Sequence, residues 1–201
     1  MIRAVISDLG KVLLWFDNTI FYRRMKDYCP LSVTEIQEIV HKSLEFIELF
    51  DSGRMTPREF YRWAVAKLGA RISYDDFMAA YVDVFWVNEP VLEIITRLKP
   101  RYRLILVSNV DVVRFNAIRK KFPEIMIFDD YVLSFEAGVL KPHPRIYQIA
   151  ITKAGAEAAE SVFIDDMAEN VEGARALGMP AVLYRPETDL RQSLLSLGLS
   201  V

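Results

Sequence analysis

Four short stretches hold the side chains best suited to chemistry: Asp8, Ser108-Asn109, Lys141 and Asp165-Asp166. Three carboxylates, an ammonium and a hydroxyl beside an amide form a set that can gather an anion around a metal. Clustered carboxylates repel one another unless a cation joins them. Oxygen donors with open positions suit Mg²⁺, which also recruits phosphate oxygens.

Whether these groups meet depends on the elements that carry them. Residues 2–7 read as a buried strand ending at Asp8, with Gly10 offering a sharp turn. Residues 104–107 read as a strand ending at Ser108, and 161–164 as one ending at Asp165. Further short strands are expected at 131–133 and 181–184. Helices fill the gaps: about 89–99, 111–121, from Pro144 to Gly155, 168–177, and at the end of the chain. Strands alternating with helices predict an α/β fold, a Rossmann-like parallel sheet with helices on both faces. In such sheets ligands bind beyond the carboxyl ends of the strands. The three polar strand ends should therefore converge, with Lys141 in the loop Leu140-Lys141-Pro142-His143-Pro144.

Between residues 17 and 88 the pattern changes. Ser32-Val33-Thr34-Glu35 is a capping box with apolar residues at helical spacing after it. Thr56-Pro57-Arg58-Glu59 combines a capping residue, a proline at the first helical position and a glutamate that can reach back. Ser73 opens another helix. No strand is expected here, so 17–88 reads as an inserted helical domain, with 1–16 and 89–201 forming the discontinuous core.

Composition narrows the function classes. The chain has 201 residues, 52% hydrophobic and 26% charged, with a formal net charge of −2. No strong positive field exists to attract nucleic acid. No apolar run approaches the ~20 residues of a membrane span, and the apolar start is too short for a signal peptide. One cysteine, Cys29, excludes an intrachain disulfide and fits a reducing cytoplasm. No G-x-G-x-x-G, Walker or G-x-S-x-G motif occurs. His41 and His143 suggest neither a triad base nor a zinc site. Trp15, Trp63 and Trp86 read as packing residues. Oligomeric state is not legible.

The ordered motifs Ile6-Ser7-Asp8-Leu9-Gly10-Lys11-Val12-Leu13, Leu106-Val107-Ser108-Asn109, Gly138-Val139-Leu140-Lys141-Pro142 and Phe163-Ile164-Asp165-Asp166 resemble the four motifs of the haloacid dehalogenase superfamily. Glu169-Asn170-Val171-Glu172-Gly173-Ala174 resembles the family's segment just after its fourth motif. The branch with a helical cap that includes bacterial sugar-phosphate phosphatases (the glucose-1-phosphate type) is the most similar.

The resemblance implies roles. Asp8 attacks phosphorus and becomes an aspartyl phosphate. Mg²⁺ is held by Asp8, the Gly10 carbonyl and Asp166, with Asp165 direct or through water. Ser108 and the Asn109 amide bind a phosphoryl oxygen, and Lys141 offsets charge. The substrate is a small phosphate monoester, with a sugar phosphate as the family-level expectation.

One position departs from the pattern. Most phosphatases of this superfamily carry a second Asp two residues after the nucleophile as general acid and base. Here Gly10 stands there, and Asp17 is the replacement considered. In the turn Asp51-Ser52-Gly53-Arg54, which resembles a cap loop that dips into the active site, Arg54 could meet a substrate anion; a surface turn is the equal alternative. Rival readings are a dehalogenase, a phosphonate hydrolase or a phosphomutase on the same scaffold, or a catalytically weak phospho-ligand-binding protein. The order of the acidic residues excludes a receiver domain.

Overall fold

A computed structural model describes residues 1–201. The strands are β1 (Ala4–Ser7), β2 (Leu14–Phe16), β3 (Phe85–Val87), β4 (Arg103–Ser108), β5 (Asp130–Leu133), β6 (Ser161–Asp165) and β7 (Ala181–Leu183). The helices are α1 (Asn18–Met25), α2 (Val33–His41), α3 (Leu44–Asp51), α4 (Pro57–Leu68), α5 (Tyr74–Val82), α6 (Glu89–Leu98), α7 (Val112–Lys121), α8 (Ser134–Ala137), α9 (Pro144–Ala154), α10 (Ala168–Arg175) and α11 (Leu190–Ser196).

Five strands form a parallel sheet in the order β5-β4-β1-β6-β7. The strands at its centre are apolar runs because both faces are covered. Side chains alternate across the sheet with the period of two expected of a strand. Val5, Leu104, Leu106, Val162 and Ile164 enter one hydrophobic cluster with Val91, Ile95, Phe115 and Leu194, from α6, α7 and α11. Ala4, Ile6, Ile105, Val107 and Phe163 enter another, with Ile146, Tyr147, Ala150 and Ala174 from α9 and α10. Chain order reverses around β1, whose neighbours β4 and β6 lie on opposite sides. That is the switch point at which such sheets open a crevice.

Helices α1–α5 pack around a third cluster rich in aromatics. Phe50 stacks on Phe60 at 4.3 Å between ring centroids, and Tyr81 lies 5.1 Å from Phe60. Both expected capping boxes form, Ser32 with Glu35 and Thr56 with Glu59. Gly69 ends α4 in the left-handed conformation.

The expectation of a wholly helical insertion needs one correction: the block ends in β3, which pairs antiparallel with β2, Leu14 opposite Val87 and Phe16 opposite Phe85. Three-residue strands are too short to register as a period, so the pairing is a tertiary effect. It brings the two chain crossings between the helical block and the sheet side by side. Asn88 ties this neck down, donating its side-chain amide to Val12 O at 2.7 Å and its backbone amide to Leu13 O at 2.8 Å. Trp86, expected as a packing residue, is instead 46% exposed on this ribbon.

Candidate active site

Sheet register brings the polar strand ends together. Ser7 pairs with both Leu106 and Ile164, so Asp8 emerges between the ends of β4 and β6. Beyond them lies a cavity of about 240 Å³ lined by Asp8, Gly10, Ser108, Asn109, Lys141 and Asp166, and also by Asp51, Arg114 and Asn170.

Lys141 is buried at the centre of the charge set. Its Nζ lies 2.6 Å from Asp8 Oδ1 and 2.6 Å from Asp165 Oδ2. An ammonium removed from water keeps its proton only when anions surround it, and these two carboxylates hold its pKa above the ordinary lysine value against the cost of burial. Asn109 fixes the loop: its Oδ1 accepts from Lys141 N at 2.7 Å and its Nδ2 donates to Lys141 O at 3.0 Å. The Asn109 backbone amide has no backbone partner, and the Ser108 hydroxyl is likewise uncommitted.

Asp165 differs from its neighbours. Its Oδ1 accepts from Met167 N at 2.8 Å and Asn170 Nδ2 at 3.0 Å, and its Oδ2 accepts from Lys141. These bonds make it an anchor for Lys141 and for the start of α10. Asp166 is freer, its nearest cation being the half-exposed Lys11 at 3.9 Å.

Oxygens of Asp8, Asp165 and Asp166 all lie within 4.8 Å of one another. Burial first, then Asp165, push the Asp8 carboxyl up to about 7 against the pull of Lys141. Asp166 is also raised, by burial and then by Asp165. Three carboxylates within 4.8 Å of one another, two of them raised by burial and by the third, call for more positive charge than Lys141 alone supplies. Two further observations fit a hard cation. The Gly10 carbonyl accepts no backbone hydrogen bond, and the buried Asn170 Oδ1 beside Asp165 has no partner. The donor set therefore suits Mg²⁺, which Asp8, the Gly10 carbonyl and Asp166 would hold.

Arg54 is not brought to this cavity. It is exposed, and its Nε donates to Ser52 Oγ at 2.8 Å. Asp17 is also elsewhere: it caps α1, its carboxylate accepting from Thr19 N at 2.8 Å and Thr19 Oγ1 at 2.7 Å. Those bonds hold its pKa below the ordinary value. Phe16, next to Asp17, and Asp51, three positions before Arg54, do line the cavity, as does Arg114 from α7. Arg114 stands in the first turn of the helix after Ser108-Asn109, a place the sequence offers for a ligand-facing side chain. Its guanidinium lies over the Tyr81 ring at 4.1 Å, and its Nε lies 3.9 Å from Asp111.

The haloacid dehalogenase-like hydrolase family profile matches residues 2–178. The chain belongs to that family. A D-ribitol-5-phosphate phosphatase of Bacteroides thetaiotaomicron is 24% identical over 206 residues, covering 96% of this chain and 97% of the relative. A drimenol cyclase of Aspergillus calidoustus is 26% identical over 96% of this chain, which spans only 36% of that larger protein. Among solved structures, a Bacteroides thetaiotaomicron enzyme of the same family, in complex with magnesium and inorganic phosphate, superposes with a TM-score of 0.82 at 25% identity, covering 96% of this chain and 98% of the other. No helix is long and apolar enough to cross a membrane.

Proposed function

We propose that this chain is a Mg²⁺-dependent phosphatase that hydrolyses a small phosphate monoester, with sugar phosphates as the substrate class, through an aspartyl phosphate on Asp8. The observation that carries this reading is the Asp8 carboxylate at the sheet's switch point, 2.6 Å from a buried ammonium and within 4.8 Å of the Asp165 and Asp166 oxygens. A carboxylate attacks a phosphate dianion poorly because like charges repel, so the site must first neutralise both.

Lys141 does this from one side, and its ammonium also fixes which Asp8 oxygen faces the substrate. Bound Mg²⁺ would supply the remaining positive charge on the other side. The Ser108 hydroxyl and the Asn109 amide are free to donate to the phosphoryl oxygens, whose charge shifts most as the bond breaks. Such preorganised donors are usually the largest part of catalysis. A dehalogenase would want an apolar, metal-free site, and three convergent carboxylates speak against it. Known relatives fit this reading, since one acts on ribitol 5-phosphate. We assign the protein to the cytoplasm on its single free cysteine, Cys29.

The test is release of inorganic phosphate from p-nitrophenyl phosphate and a panel of sugar phosphates, with Mg²⁺ or EDTA, for wild type and Asp8→Asn. Activity that requires Mg²⁺ and falls to background in Asp8→Asn is expected. Turnover that survives either treatment overturns the proposal.

A further inference from the structure

Gly10 leaves the reaction without the acid that most phosphatases of the family place there, and an aromatic ring crowds the position. A Cβ built on Gly10 would lie 3.2 Å from Phe16 Cε1 and 3.8 Å from its Cδ1. Phe16 in turn packs on Phe85 across the β2–β3 ribbon, at 5.9 Å between centroids. A side chain at position 10 would press on that ring, which would have to give by a few tenths of an ångström. Hydrolysis of an alkyl ester still needs a proton for the leaving alkoxide, so it must come from another wall of the cavity.

The titratable groups lining the cavity are Asp8, Lys11, Asp51, Arg114, Lys141 and Asp166. Asp8 is the nucleophile and Asp166 a metal ligand. Lys141 holds its proton between two carboxylates. Arg114 cannot release one in a protein. Lys11 stands at the mouth, half-exposed and facing Asp166. That leaves Asp51.

Resting on the phosphatase reading, we propose that Asp51, delivered by the cap, is the general acid and base of this enzyme. Its placement is built rather than incidental. Ser134 Oγ donates to Asp51 O at 2.6 Å and accepts from Val110 N at 2.9 Å, next to the phosphate-binding pair Ser108-Asn109. Gly53 lets the turn approach this closely: at φ +71° a Cβ there would stand 2.3 Å from Phe135 O. Ser52 is buried in the same contact.

The surroundings of the carboxyl suit a proton carrier. Asp111 and Arg114 face it from the start of α7, Glu48 from its own helix, and Tyr81 of α5 donates to Asp111 Oδ2 at 2.8 Å. The carboxyl itself accepts no side-chain or backbone hydrogen bond. Burial, then the charge of Asp111, push it up to about 7, with Arg114 pulling the other way. A group poised there can hold a proton in one step and accept one in the next.

The proton balance closes without another reagent. As Asp8 bonds to phosphorus and the ester oxygen departs, the Asp51 carboxyl gives its proton to that oxygen, and the alcohol leaves. Asp51, now a carboxylate, takes a proton from the water that attacks phosphorus. The bond from phosphorus to Asp8 breaks, phosphate leaves, and both residues return to their starting states.

Asp51→Asn separates this role from a packing role by leaving-group dependence. With glycerol 3-phosphate, a poor leaving group, kcat/KM should fall about 10²–10⁴-fold. With p-nitrophenyl phosphate, whose phenolate needs no proton, kcat/KM should stay within about tenfold, since that ratio reports phosphorylation of Asp8. The second step would then lack its base, so a burst of one nitrophenolate per site should precede slow turnover. Equal loss on both esters, or no loss on either, overturns the assignment while leaving the phosphatase reading intact. Should the variant not fold, wild type alone decides. The ratio of alkyl-ester to aryl-ester kcat/KM should fall as pH rises through about 7, when Asp51 loses its proton; a ratio that does not change with pH overturns the proposal. Wild type that releases phosphate from neither ester overturns both readings.

Discussion

At the cavity floor, Asp8, Ser108 and Asp165 sit at the ends of three hydrogen-bonded parallel strands, and Lys141 Nζ lies 2.6 Å from each of the two carboxylates. At its roof, Asp51 ends an eight-residue helix of the cap and touches the core through one serine hydroxyl and one close-packed glycine. The floor is fixed by sheet register; the roof is fixed by how the cap docks. Floor residues can therefore carry the chemistry common to a family, while roof residues can be changed with little cost to the fold. The two regions should respond differently to substitution.

Asp8→Asn removes the nucleophile, and its effect on activity should be the largest, with turnover at background in the phosphate-release assay. Lys141→Met comes next and strikes both activity and stability. It strands Asp8 and Asp165 as buried, unpaired neighbours, which costs about 3–5 kcal/mol when a buried pair loses one partner. Urea unfolding without metal should show that loss, and Mg²⁺ should restore part of it by taking the place of the missing charge. If Mg²⁺ protects the variant no better than wild type, the floor's charges are balanced by something other than a dication.

Asp51→Asn ranks third: its loss of kcat/KM is confined to esters with poor leaving groups, while p-nitrophenyl phosphate keeps kcat/KM and turns over slowly after its burst. Gly53→Ala should act through it. The added methyl meets a backbone oxygen at 2.3 Å, so the turn must lift, at a stability cost of about 1–3 kcal/mol. For glycerol 3-phosphate kcat/KM should fall more than for p-nitrophenyl phosphate, because Asp51 moves away while the floor stays put. Equal effects would mean that the roof merely shields the site.

The smallest effect belongs to Asp83, at the cap's outer seam. It pairs with Lys121 at 2.6 Å and Arg24 at 2.7 Å, and these hydrogen bonds, Lys121's first, lower it to about 2. It is half-exposed, so water screens the pairs and Asp83→Asn should cost at most ~1 kcal/mol. The sign comes from linkage. A lowered carboxylate pKa contributes stability above the unfolded value of about 4. That contribution fades as pH falls toward 2, so thermal melts of the two proteins should converge in acid and in high salt.

The floor is legible in the sequence because its residues come directly after strands, and a strand's end is readable where an apolar run stops at an acid. Asp8, Ser108-Asn109, Lys141 and Asp165-Asp166 meet as their spacing implies. The finer role of Asp165 is not legible, since its bonds to Met167 and Asn170 depend on how α10 begins. The roof is half legible. The turn at 51–54 stands out, but Arg54 is the wrong member of it, because a charge on a turn gives no sign of which way it faces. Asp17 looks available by its nearness to the junction, yet its position one residue before α1 makes it a capping side chain. Strands β2 and β3 leave no pattern at all, since their pairing joins two three-residue segments with the whole helical block between them.

That ribbon has a mechanical consequence. The chain passes between cap and sheet only twice, and both passages are bonded together as one antiparallel pair, clamped by Asn88. Two anchors fused into one make a single joint, and away from it the cap is bonded to the core through side chains, among them Tyr81 on Asp111 and Asp83 on Lys121. Phe16 lies at that joint, whereas the turn bearing Asp51 lies away from it and is held to the core by the Ser134 hydroxyl. On the Asp51 assignment, hydrolysis of an alkyl ester requires the cap docked as it is here, with that one hydroxyl contact in place.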